Sequence, residues 1–125
     1  MESKIIRVIN KMISNSKRIG NVVKGALNSN EYYFTYDTKY KWSIVGEQTT
    51  NKDIVLYYYP LNDSIEQIAQ MDETLLEYVT YKCSDFKTKE AEESFRELLT
   101  IVKSNYLGID QVFDQILDDT DDLPW

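Results

Sequence analysis

The chain has 125 residues with 42% hydrophobic content, a net charge of −7, one cysteine and no histidine. That size suits one globular domain with a core of ordinary proportions. A lone cysteine excludes an internal disulfide framework, the absence of histidine removes the usual proton shuttle and metal ligand, and the acidic balance opposes a nucleic-acid ligand.

The charge is uneven along the chain. Residues 1–30 carry six Lys/Arg against one acid, whereas residues 31–85 and 86–125 each carry four against ten. A basic arm thus precedes an acidic body, an asymmetry that draws the two parts together or steers an oppositely charged partner. Within the arm, Ile5, Ile6, Val8, Ile9, Met12 and Ile13 fall on one side of a helix and Lys4, Arg7, Asn10 and Lys11 on the other. Arg7, Asn10 and Lys11 break the run before it reaches the length of a signal peptide or membrane span. Together with the single Cys83 they predict a cytoplasmic protein. The apolar side lacks Trp, Phe and Leu, which favours docking on the protein's own core over lying on lipid. After Asn15 and Ser16, the residues Ile19, Val22, Val23, Ala26 and Leu27 keep helical spacing, although Gly20 and Gly25 weaken it by about 1 kcal/mol each. A second, loose helix or a bent continuation of the first is predicted here.

From Glu31 the period becomes two, and seven of the ten tyrosines lie between Tyr32 and Tyr59. Glu31 to Tyr36 and Lys39 to Val45 read as a hairpin around Asp37 and Thr38, with a third strand from Ile54 to Tyr59 ended by Pro60. A two-residue turn opposes Tyr33 to Trp42 and Phe34 to Lys41. One face then carries Tyr33, Tyr40, Trp42 and Ile44, and the other carries Tyr32, Phe34 and Tyr36 with Lys39, Lys41 and Ser43. A three-residue loop would mix the rows. Both alternating sets of the third strand, including Tyr57 and Tyr59, are too apolar for open water, so each face of the sheet needs a cover. That cover is either the protein's own helices, the N-terminal ones on one side and the C-terminal pair on the other, or a partner.

Asp63 and Glu66 have the spacing of a capping box opening a short helix through Ile65, Ile68 and Ala69, and Leu75 to Ser84 returns to strand chemistry. Thr88 is a plausible N-cap for a long helix with Ala91, Phe95, Leu98, Leu99, Val102 and Tyr106 as its stripe, stopped by Gly108. A last helix begins near Asp110, with Ile109, Val112, Phe113, Ile116 and Leu117 on the same template. The order α(α)βββαβαα predicts an α+β fold with a four-stranded antiparallel sheet, a single domain over residues 1–118 and an acidic tail at 119–125.

In the last helix and tail, Asp110, Asp114 and Asp118 recur every four residues and Asp119, Asp121 and Asp122 follow. Like charges at that spacing and anions at a helix C-terminus oppose stability, so folding does not explain them. A calcium loop needs a turn glycine and a closing glutamate that this run lacks. The alternatives are a solvated tail, or an acidic arm with Trp125 as anchor that docks on a basic groove.

No catalytic motif, phosphate loop or metal constellation is present in the sequence, and Cys83 has no histidine to activate it. No enzyme, cofactor or metal is expected. Aromatics beside lysines on strands could stack bases, but the acidic body opposes a nucleic-acid role. The layout looks, by architecture alone, like that of immunity or inhibitor proteins and of small secretion chaperones. The expectation is an intracellular binding protein of bacterial or phage type that masks a partner's basic surface, using Tyr32, Phe34, Tyr36, Lys39, Lys41, Tyr57, Tyr59, Asp118, Asp119, Asp121, Asp122 and Trp125. The alternative is a small-ligand binder with a tyrosine-lined pocket, within one chain or at a homodimer interface.

Overall fold

The computed structural model describes residues 3–25, 30–46, 53–71 and 73–119. The first helix, α1 (Lys4–Ser14), buries Ile6, Ile9 and Met12 along the predicted stripe. Lys11 sits in its last turn, where a cation suits the helix dipole, and Asn15 donates from its side-chain amide to the Lys11 carbonyl at 3.1 Å.

The segment predicted as a second helix is instead a strand, β1 (Ile19–Lys24). It pairs antiparallel with β2 (Glu31–Tyr36), and the register shifts between Gly20 and Val23 around Asn21 at φ 51°. This bulge accounts for the misleading spacing. An inserted residue returns positions i and i+3 to one face, so Ile19 and Val22 reach one core cluster while Val23 points to the other. Thr35 secures the bulge by donating its hydroxyl to the Gly20 carbonyl at 3.2 Å. Ala26 and Leu27 lie outside the described residues.

The hairpin between β2 and β3 (Tyr40–Val45) forms as expected, but its turn holds three residues, Asp37, Thr38 and Lys39. Asp37 and Thr38 both take positive φ, 59° and 62°, and the Asp37 amide donates to the Arg18 carbonyl, which ties the turn to the start of β1. The extra residue moves the register by one. Phe34 opposes Trp42, Tyr33 opposes Ser43, and Tyr36 opposes Tyr40. Because the side-chain period is two, that slip exchanges every β3 partner between faces. The expected separation of Tyr32, Phe34 and Tyr36 from Tyr40, Trp42 and Ile44 is therefore corrected: these six share one face.

The fold is α+β with an antiparallel sheet, as predicted, and the bulged β1 makes it five strands in sequence order with β4 (Val55–Tyr59) and β5 (Val79–Lys82). Between them, α2 (Ile65–Gln70) is opened by a capping box one residue later than expected, with Ser64 and Gln67 exchanging backbone and side-chain hydrogen bonds. Thr88 caps α3 (Lys89–Leu107) through the Ala91 amide, and Gly108 ends it at φ 66°. Only glycine adopts that left-handed geometry without cost, so the chain can turn directly into α4 (Ile109–Asp119).

Two layers cover the sheet. α3 packs on one face of the sheet, with Phe95 meeting the ring of the preceding Phe86 at 5.9 Å and the Asn105 side-chain amide donating to the Ile19 carbonyl. α1 lies beside it, joined by the Ser94 to Asn10 hydrogen bond of 2.7 Å, and the main core fills the space beneath with Phe34, Ile44, Leu56, Phe95 and Leu98. On the opposite face, α2 and the chain around Leu61, Met71 and Leu76 close over Tyr33 and Tyr59. The arrangement of N-terminal helices on one side and the C-terminal pair on the other is thus corrected: α1 and α3 share a face, α2 covers the other, and α4 leaves the core.

Candidate functional site

The residues expected to form an exposed binding row do not form one. Phe34 is fully buried, Tyr32 and Tyr59 are buried, and Tyr36 and Tyr57 are half-buried. Moreover, Tyr32, Phe34 and Tyr36 face α1 and α3, while Lys41, Tyr57 and Tyr59 lie on the other side of the sheet. Lys41 donates to the Leu61 carbonyl at 3.0 Å, and Lys39 lies over the Tyr40 ring at 5.1 Å. Most of these rings contact one another: Tyr32 meets Tyr106 at 5.5 Å with Lys24 over both, Tyr33 stacks on Tyr59 at 5.8 Å, and Tyr57 meets Tyr78 at 5.3 Å. The tyrosine surplus is spent largely on packing. Asp118 is exposed on α4, Asp119 is its last residue, and Asp121, Asp122 and Trp125 lie outside the described residues.

A buried polar cluster lies under α2. Ser43 donates to the Glu31 carboxylate at 2.7 Å and shares a 2.7 Å hydrogen bond with the Tyr59 hydroxyl. Since the one serine proton goes to Glu31, Tyr59 is the donor of the second bond. Burial, and then the nearby Glu31 and Tyr33, push the Tyr59 hydroxyl far above the ordinary tyrosine range, while its bond to Ser43 acts the other way. Ser43 is fully buried, so the cluster fixes the register of three strands and offers no surface to a substrate.

This cluster predicts alkaline weakening. The unfolded Tyr59 ionises near pH 10 and the folded one well above it, so its contribution is intact below pH 10 and declines as pH rises further. Urea midpoints at about pH 8 and pH 11 should fall less for Tyr59→Phe than for the parent, by roughly 1 kcal/mol over that interval. Equal falls would contradict it.

Two surface features remain. The first is a cleft of about 570 Å³ between α1 and the aromatic corner of the sheet that α3 does not reach. Tyr36, Tyr40, Trp42, Tyr58 and Tyr81 form its floor, with Ile5, Val8 and Met12 of α1 along one side and Lys4 and Lys11 exposed at its edge. Trp42 is 8% exposed and packs on Tyr58 at 4.8 Å, and its indole N–H has no hydrogen-bond partner among the described residues. The second is α4, on which Val112, Phe113, Ile116 and Leu117 are all exposed, Phe113 by 56% and Ile116 by 55%. The stripe that follows a core template is turned to the outside.

A two-residue turn groups Tyr40 and Trp42 on one face with Tyr36 on the other, and the strand pattern alone connects Tyr58 and Tyr81 to neither. Only the loop length, which sets the register, could have joined them.

Cys83 lies beside a separate hollow with Asp53 and Glu92. Burial raises its thiol above the ordinary range, and the carboxylates of Asp53 and Glu92 add to the effect. A higher pKa means less thiolate at a given pH, so alkylation by iodoacetamide at pH 8 should run slower than for an unstructured cysteine and keep rising with pH beyond the usual midpoint. A rate equal to that of a short cysteine peptide would contradict this environment.

Among the described residues, no group of His, Cys, Asp and Glu is placed to hold a metal ion, and no helix is long and apolar enough to cross a membrane. Comparison with protein-family models, curated proteins and solved structures gave no match to this chain.

Proposed function

We propose that this chain is a non-enzymatic intracellular binding protein that masks the basic surface of a partner protein, in an inhibitor, immunity or chaperone-like role, with α4 as the contact element. The observation that carries this reading is the exposure of Val112, Phe113 and Ile116 on a helix whose charged residues are all aspartates: Asp110, Asp114, Asp118 and Asp119. A fully buried aliphatic or aromatic side chain gains about 1.5–3 kcal/mol over an exposed one, so such a row is what a partner would cover. The acidic charge selects a basic partner and speeds its encounter, while the row supplies affinity.

The test is affinity capture from the source cells with the parent chain and with the exposed-row variant Phe113→Ala/Ile116→Ala. A basic protein held by the parent, lost from the variant and released by rising salt supports the proposal. Equal retention by both forms would remove α4 from it.

A second reading, a small-ligand binder, is favoured by the aromatic cleft beside α1. Five rings within one hollow of about 570 Å³ match the size and lining of small-molecule sites.

A further inference from the structure

We infer that the cleft beside α1 selects small aromatic acids: a flat apolar ring system enters between α1 and the sheet while a carboxylate is held at the lysine edge. This inference rests on the second reading, that the cleft is a ligand site, and adds the chemical class.

The apolar part follows from the floor. Tyr36, Tyr40, Trp42, Tyr58 and Tyr81 come from four neighbouring strands and point to one face. Rings in such a hollow favour a planar guest, since stacked and edge-on contacts add to simple burial. Ile5, Val8 and Met12 bound it from the helix side. Methionine adapts its shape, and Val8 is already 37% exposed, so the α1 wall can admit a guest without displacing the core residues Ile6 and Ile9.

The acidic part follows from charge and hydrogen bonding. The charged side chains among the described lining residues are Lys4 and Lys11, both cations. They lie on a protein of net charge −7, so the edge of the cleft is a local positive site on a negative molecule. Trp42 supplies the independent observation. Its indole N–H is buried without an acceptor among the described residues. Burying a donor with no acceptor is costly, and buried donors nearly always have one. Trp42 lines this cleft, and a guest whose carboxylate reaches from the lysine edge to the ring would give the indole the acceptor that the described residues do not supply. Lysine and carboxylate complete the match, because charge-assisted bonds gain strength beside a low-dielectric wall.

The test uses the full chain labelled with ¹⁵N, with Trp125→Phe to assign the indole signals, titrated with 2-naphthoate and separately with the neutral 2-naphthylmethanol. The expected result is a saturable downfield movement of the Trp42 indole N–H with 2-naphthoate, and at least tenfold weaker binding of the alcohol, about 1.4 kcal/mol. Lys4→Ala/Lys11→Ala, both exposed and so harmless to the fold, should weaken 2-naphthoate about fivefold. Equal affinity for acid and alcohol would discard the acid class and leave an apolar ligand site. No saturable movement of the Trp42 signal with either probe up to about 5 mM would discard the ligand site as well.

Discussion

Phe34→Ala should lower the melting temperature by roughly 10–20 °C. Phe34 is fully buried between β2 and the α1/α3 layer and opposes Trp42 across the hairpin. Truncating a buried phenylalanine costs about 3–5 kcal/mol, counting the lost transfer energy and the cavity left behind. In a domain of 125 residues each kcal/mol moves the midpoint by about 3–5 °C. Little room exists for collapse into the gap, since Ile44, Leu56 and Phe95 are fully buried around the same cluster. If the side chain served a partner instead, the midpoint would barely move. A thermal melt of the isolated variant separates the two, and a change under about 2 °C would contradict the burial described.

The second large effect concerns binding. Phe113→Ala/Ile116→Ala should weaken the captured partner by roughly 100-fold or more, because two central apolar anchors of an interface each cost about 2 kcal/mol when truncated. Alanine keeps helix propensity high, so the loss would reflect removed contact area and not an unwound α4. Asp114→Asn/Asp118→Asn should act differently. It removes two exposed charges, so it should slow association and flatten the salt dependence while leaving the dissociation rate nearly unchanged. Loss from the aspartate pair with none from the apolar pair would show that the helix acts by charge alone.

Much of the framework is legible in the sequence because it is set locally. α1 follows from its stripe, α3 from Thr88 and Gly108 at its two ends, and the β2–β3 hairpin from period-two alternation around Asp37. What stayed hidden depends on distant contacts. The hairpin register turns on a third loop residue, and the Asp37 amide is held by Arg18, 19 positions earlier. β1 imitates a helix because its bulge restores the spacing of Ile19 and Val22. The register error bears on a candidate site, since the cleft exists only in the true register, which brings Tyr36, Tyr40 and Trp42 to one face.

The exposure of α4 was hidden for another reason. An apolar stripe has the same period whether it meets the core or a partner, so Val112, Phe113 and Ile116 read like Leu98 and Val102. The one local clue was electrostatic. Aspartates recurring every four residues and gathering at a helix C-terminus oppose folding, and a helix that keeps them is shaped by something besides its own stability.

The most direct test of α4 as an outward-facing contact element is the melting temperature of Phe113→Ala/Ile116→Ala against the parent, each at the same low concentration. An exposed row predicts midpoints within about 2 °C of each other, since substitutions at uncovered positions shift stability by no more than about 0.5 kcal/mol. A fall of several degrees would put these side chains inside a core and contradict α4 as a free binding helix.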